Sequence, residues 1–190
     1  MAEIRFMRFA VDANNQPISM GFDGVDDIFR DGFARVNIGK KWNFIDENCK
    51  PLSNQWFDGA FAFNEGFAAV KVNNKWNFID KNGKLLGDQW FGWSCAFKNG
   101  FAVVAVNGKW NFINQKGNFL SKQWFDDAYP FSEGFAIIKL NNKYNFINQE
   151  GKLLSGQWFD DCYSFSEGFA KVKLNGKLYL IDKNGNLTEK

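Results

Sequence analysis

The tripeptide Gly-Phe-Ala begins at Gly32, Gly66, Gly100, Gly134 and Gly168, a spacing of 34 residues each time. Segments ending at Ile45, Ile79, Ile113, Ile147 and Ile181 keep the same step, and Gln-Trp-Phe recurs at Gln55, Gln89, Gln123 and Gln157. A period held this strictly requires every unit to meet its neighbour in one repeated geometry, the signature of a tandem-repeat architecture. The 190 residues therefore divide into an N-terminal half-repeat (1–22) and five repeats at approximately 23–56, 57–90, 91–124, 125–158 and 159–190, together one repeat domain.

Within a unit the reading is all β. In the second repeat, Gly66 to Val72 and Lys75 to Asp80 are short β-prone runs separated by Asn73-Asn74; other copies carry Asn107-Gly108 and Asn175-Gly176 at this place. Both central residues of a type I′ hairpin turn need positive φ, which Asn and Gly tolerate best. A second turn follows at Asp80 to Lys84, where Gly83, Gly117, Gly151 and Gly185 are replaced in the first repeat by Cys49. If that position is left-handed, Cys49 costs about 1 kcal/mol of local strain. Further short strands are expected at Leu85-Leu86 and across Phe91 to Phe97 and their equivalents, and no segment sustains a helical period.

The pattern Phe131-Ser132-Glu133-Gly134-Phe135-Ala136, then Asn142 to Ile147, then Gly151-Lys152, resembles the WG-repeat family of tandem β-repeats over nearly the whole chain. The namesake Trp-Gly reads Trp42-Asn43, Trp76-Asn77, Trp110-Asn111 and Tyr144-Asn145 here. Asn is the residue best able to replace Gly at positive φ, so a bulge or left-handed kink is expected just after the Trp. The resemblance implies a repeat scaffold and no reaction.

Alternation puts Ala68, Val70 and Val72 on one core face, while Trp76 and Phe78 oppose Ile79, so bulky groups occupy both faces. Sheets buried on both sides suit radially packed blades, and a small five-bladed β-propeller is the expected architecture; the alternative is an open β-solenoid with atypical end caps. Met7 to Asp12 aligns with Trp42 to Asp46, and Gln16 to Ser19 with Lys50 to Ser53. An N-terminal strand could thus complete the last blade, whose repeat breaks off after Leu187. The terminal copies deviate together, Arg8 and Leu178 replacing the Trp and Phe9 and Tyr179 the Asn.

Composition narrows the chemistry. With no histidine, His-based acid–base catalysis, Ser-His and Cys-His pairs and His-containing metal sites are excluded. A formal net charge of +2 argues against an electrostatically driven nucleic-acid or membrane binder. Cys49, Cys95 and Cys162 form no C-x-x-C pair, as expected for scattered reduced thiols. No apolar run reaches about 18 residues, and the first residues lack a signal-peptide pattern, so a cytoplasmic location is expected. No cofactor, metal or catalytic residue is expected.

Asp58, Asp126 and Asp160 could be read as ligand positions, but a residue copied once per unit is usually structural, here an Asp accepting backbone N–H groups in a turn. Function is expected where copies differ. The third position of the Gly-Phe-Ala strand runs Arg35, Ala69, Val103, Ile137, Lys171, charged outside and apolar in the middle. In the third repeat Trp93 and Cys95 fit no consensus, and Ala105 replaces a Lys. Trp93, Val103, Ala105 and Ile137 form the candidate interaction patch, rimmed by Lys98 and Lys139. The strip could equally be extra core under a neighbouring loop. The expected function is a non-enzymatic scaffold that binds another protein or itself through this central-repeat face. The alternative is a small-ligand or glycan binder with repeated aromatic, Asn and Asp pockets around Asp58, Asp126 and Asp160.

Overall fold

The structure is a computed structural model that describes residues 10–11, 17–18, 21–26 and 28–189, and every regular element among them is a β-strand. As the repeat predicts, five antiparallel sheets follow one another along the chain. The chain divides into two compact units, residues 1–90 and 91–190, at the boundary between the second and third repeats.

In the first unit, Ala10–Val11 pairs with Pro17–Ile18, Val11 lying opposite Pro17. This is the register of Ile45 opposite Pro51 one repeat later, so the half-repeat alignment holds. Arg8 and Phe9 lie outside the described residues. The first sheet comprises Gly24–Val25, Ala34–Ile38 and Lys41–Ile45, and the second Gly59–Ala60, Phe67–Val72 and Lys75–Asp80. The second unit holds the third sheet (Trp93–Ser94, Phe101–Val106, Lys109–Asn114) and the fourth (Asp127–Ala128, Phe135–Leu140, Lys143–Asn148). The fifth has four strands: Asp161–Cys162, Phe169–Leu174, Lys177–Asp182 and Leu187–Glu189. In each sheet the middle strand pairs with the short strand on one side and its hairpin partner on the other. The strand beyond the last hairpin is therefore the chain's own Leu187–Glu189, with Tyr179 opposite Glu189. Of the N-terminal segment Met7 to Asp12 expected there, all but Ala10–Val11 lies outside the described residues.

Turn chemistry explains the hairpins. Asn73 and Asn74 adopt φ of 48° and 62°, as do their counterparts at Asn107-Gly108, Asn141-Asn142 and Asn175-Gly176 in the same left-handed region, the type I′ geometry expected. A second positive-φ pair was not foreseen. Glu65 (φ 51°) and Gly66 (φ 85°) turn the chain between Asn64 and Phe67, and Asp31, Asn99, Glu133 and Glu167 recur at the first place. In the third turn Asp80 Oδ1 accepts the N–H groups of Asn82 and Lys84 at 2.8 and 2.9 Å. Gly83 there has φ 79°, and a Cβ added to it would stand 2.8 Å from the Leu52 carbonyl oxygen, so both conformation and space require glycine. Cys49 holds the equivalent place at φ 64°, the strained conformation anticipated for it.

The kink expected after the Trp is not observed. Val70 pairs with Asn77, Val104 with Asn111 and Ile138 with Asn145 in uninterrupted register, and none of these Asn residues has positive φ. The Asn is there for its side chain. Buried Asn111 Nδ2 donates to the Ser121 carbonyl at 2.8 Å while its Oδ1 accepts the Phe112 N–H at 2.8 Å. Asn43, Asn77 and Asn145 repeat this with Ser53, Gly87 and Ser155.

Both faces of the inner sheets are used for packing. Ala136, Ile138 and Ile147 on the front of the fourth sheet pack with Phe125, Phe131 and the third sheet's Val103 and Phe112. On its back, Ile137 and Phe146 pack with Phe159, Phe165, Ala170, Val172 and Ile181 of the fifth repeat. In the first unit Phe44 joins Phe57, Phe63, Ala68, Val70 and Ile79 in the same way. Within each unit the back of one sheet thus rests on the front of the next. Each fully buried phenylalanine, such as Phe112, Phe131 or Phe146, contributes ~1.5–3 kcal/mol. The back of the fifth sheet is different: Phe169 is 51% exposed, and Lys171, Lys173 and Leu178 are exposed with it.

Candidate functional site

The repeated aspartates are occupied within the protein. Asp58 Oδ1 accepts from Lys41 Nζ, and its Oδ2 accepts the Asn73 N–H at 2.7 Å. Asp126 takes Lys109 and the Asn141 N–H in the same manner, and Asp160 takes Lys143 and the Gly176 N–H. Each lysine comes from the preceding repeat, so the carboxylate ties the hairpin turn of its own sheet to the sheet before it. The lysine hydrogen bond, seconded by the turn N–H, holds all three carboxyls below the ordinary carboxylate range. These positions carry the structural role foreseen for them: both oxygens of each are spoken for. At the third repeat Gly92 replaces the Asp; its N–H donates to the Ala105 carbonyl at 2.8 Å.

The third-position strip is a packing surface and not an exposed one. Val103 is 2% and Ile137 7% exposed, each in a core where the back of its sheet meets the following repeat. Arg35, at the same position in the first sheet, extends from the ion pair with Asp26 (2.7 Å) to donate to the Ala60 carbonyl at 2.9 Å. Lys171 is charged because the back of the fifth sheet faces solvent. Arg35 thus keeps its charge on a covered sheet back through internal partners, and Lys171 keeps its charge on an exposed one. Val103, Ala105 and Ile137 are buried, as the extra-core alternative for the strip has it.

Trp93 is the exception, at 44% exposed. It stands directly across from Ala105, which in turn stands across from Trp110. Side chains on one rung share a face, and the two indoles meet over Ala105 with centroids 4.9 Å apart at 63°, leaving Ala105 6% exposed. In the other sheets this rung is built from smaller or charged groups: Gly59–Lys71–Trp76, Asp127–Lys139–Tyr144 and Asp161–Lys173–Leu178. Lys71 Nζ lies 5.7 Å from the Trp76 ring centroid, Lys139 Nζ 5.2 Å from that of Tyr144, and Arg35 Cζ 5.4 Å from that of Trp42. Trp93 and Ala105 thus belong to one change: the lysine shrinks to alanine, and a tryptophan on the adjoining strand stands beside the Trp110 ring.

The thiols are unpaired, and burial pushes Cys162 up to about 12 and raises Cys95 and Cys49, so none is poised as a nucleophile at neutral pH. Among the described residues no cluster of Asp, Glu or Cys could hold a metal ion, and no helix is long and apolar enough to cross a membrane.

A family model described as WG containing repeat matches residues 18–42, 57–76, 96–110, 112–144 and 146–177. No curated protein matches the chain. Among solved structures, a eukaryotic initiation factor is similar at 11% identity and a TM-score of 0.52, over 90% of this chain and 55% of that one. Hsv2 of Kluyveromyces lactis is similar at 11% identity and a TM-score of 0.47, over 82% of this chain and 58% of that one. A Bacteroides caccae protein of unknown function is 14% identical, with a TM-score of 0.35, over 91% of this chain and 82% of that one. The chain spans about three-fifths of the length of the Hsv2 chains it matches. At these identities the likenesses concern the fold.

Proposed function

We propose that this chain, which belongs to the WG-containing repeat family, is a non-enzymatic scaffold that binds another protein through the outer edge of its third sheet. The observation that carries this reading is Trp93: a large aromatic, 44% exposed, on a rung where the other sheets place Gly or Asp. Exposed tryptophan anchored on a rigid strand is the type of residue that dominates protein interfaces. Ala105 and Val103 support that edge from within as buried positions on the same strand, whereas Ile137 belongs to the core between the fourth and fifth repeats. The three unpaired thiols are in keeping with a cytoplasmic setting. A ligand or glycan role for Asp58, Asp126 and Asp160 is not favoured, since turn N–H groups and lysines already take their oxygens.

The test is capture from a lysate of the source cells at moderate salt, comparing wild type with the double variant Trp93→Asp/Ala105→Lys. That variant gives the third sheet the Asp–Lys rung found at Asp127 and Lys139, so the fold is kept. A protein retained by wild type and lost by the variant supports the reading. Equal retention by both places the binding surface elsewhere and contradicts it.

A further inference from the structure

We propose that the Trp93–Trp110 pair receives a cationic side chain, lysine or arginine, from the partner polypeptide. This rests on reading the third-sheet edge as the partner surface. The argument is internal to the repeats. In the first, second and fourth sheets the ring at the Trp42, Trp76 and Tyr144 position carries a cation of the chain's own, from Arg35, Lys71 and Lys139. The fold therefore presents this ring so that a positive charge can lie over it, and the attraction is that between a cation and the negative face of an aromatic ring. At Trp110 the chain's own cation has been deleted: the residue across the rung is Ala105, and among the described residues no cation lies over either indole. A second indole has been added beside it, and the two planes incline at 63°. Two rings at that angle offer a corner in which one charge can approach both. Nearly half of Trp93 is open to solvent, so an incoming group has access. A resident ammonium over the ring would repel an external cation, and none lies over Trp110 among the described residues.

The experiment is a titration of the full chain, 15N-labelled, with the peptide acetyl-Gly-Arg-Gly-amide and with the citrulline counterpart, which keeps the planar shape but not the charge. The readout is the indole N–H signals of Trp93 and Trp110, assigned by single substitution. The arginine peptide shifts both signals saturably and the citrulline peptide does not. Trp93→Ala weakens the effect about two- to fivefold, the loss of one of two rings at a solvent-exposed site, and Trp93→Asp/Ala105→Lys, which restores the resident lysine, abolishes it. Equal shifts from both peptides would overturn the cation preference while leaving the edge as an apolar interaction surface. No shift from either, or a shift that survives both variants, would overturn the site itself. Loss of partner capture is scored separately, so failure here and failure of the scaffold reading are distinguishable.

Discussion

Glu133 and Glu167 hold the same place in consecutive repeats, and the carboxylate of the first accepts the backbone N–H of the second at 2.7 Å. The other oxygen of Glu133 accepts the Gly168 N–H at 3.0 Å and pairs with Lys183. Both glutamates sit at left-handed φ, 49° and 54°, where a side chain is costly. At Glu167 the cost is offset because its turn presents the Glu167 and Gly168 N–H groups to a carboxylate one repeat back. Asp31 does the same for the Gly66 N–H at 2.8 Å. Together with the Asp58, Asp126 and Asp160 ties, these contacts join neighbouring sheets within each unit.

Stability falls on acidification. The Lys183 bond lowers the Glu133 carboxyl, bonds from Lys41, Lys109 and Lys143 lower Asp58, Asp126 and Asp160, and Asn186 lowers Asp182. A carboxyl lowered in the folded state contributes stability that is present above its unfolded value, about 4. That contribution is lost as pH falls through this range to the lower folded values. Thermal melts from pH 6 to pH 3 should show a declining Tm, with a shallower decline in Asp126→Asn and Glu133→Gln. An unchanged slope in both variants would mean the ties contribute nothing.

Asn111→Ala should destabilise the fold by roughly 1–3 kcal/mol, because it leaves the Ser121 carbonyl and the Phe112 N–H without the partner they have in a buried setting. Urea denaturation measures this directly. A change near zero would refute the hydrogen-bonding role assigned to the Asn that follows each aromatic.

Ser94→Ala should be stabilising, by about 1 kcal/mol. The Ser94 hydroxyl is buried with no hydrogen-bond partner among the described residues, and the same place is Ala60 in the second repeat and Ala128 in the fourth. A lower urea midpoint in the variant would show that the hydroxyl has a role the packing does not reveal.

Residue order makes the period, the I′ hairpins and the all-β class legible, since each rests on local chemistry such as Asn73-Asn74 between two apolar runs. Strand alternation identifies two faces but does not say what covers each, so Val103 and Ile137 read as surface until the stacking of sheet backs on the next repeat is seen. The same ambiguity keeps alternation from separating a closed propeller from an open array, because both bury sheets on two sides. The Glu65-Gly66 turn is not legible from residue type alone, because glutamate is no turn former; only Asp31 and Asn99 in the same column carry a turn signal. The Asn after Trp was misread because substitution for Gly suggested backbone geometry, whereas its side chain is what the site uses. The sequence groups Trp93 and Ala105 in one candidate patch with Val103 and Ile137, and the strand register places the first two across from each other on one rung.

The central claim is a division of labour: repeated polar residues build the scaffold, and the unrepeated Trp93 edge binds. The most direct test measures Tm and partner retention side by side for Asp126→Ala and Trp93→Asp/Ala105→Lys. The account predicts that Asp126→Ala lowers Tm while the folded fraction still retains the partner, and that the rung variant keeps its Tm and loses the partner. Folded Asp126→Ala that no longer retains the partner, beside a rung variant that retains it fully, would contradict the account and return function to the repeated aspartates.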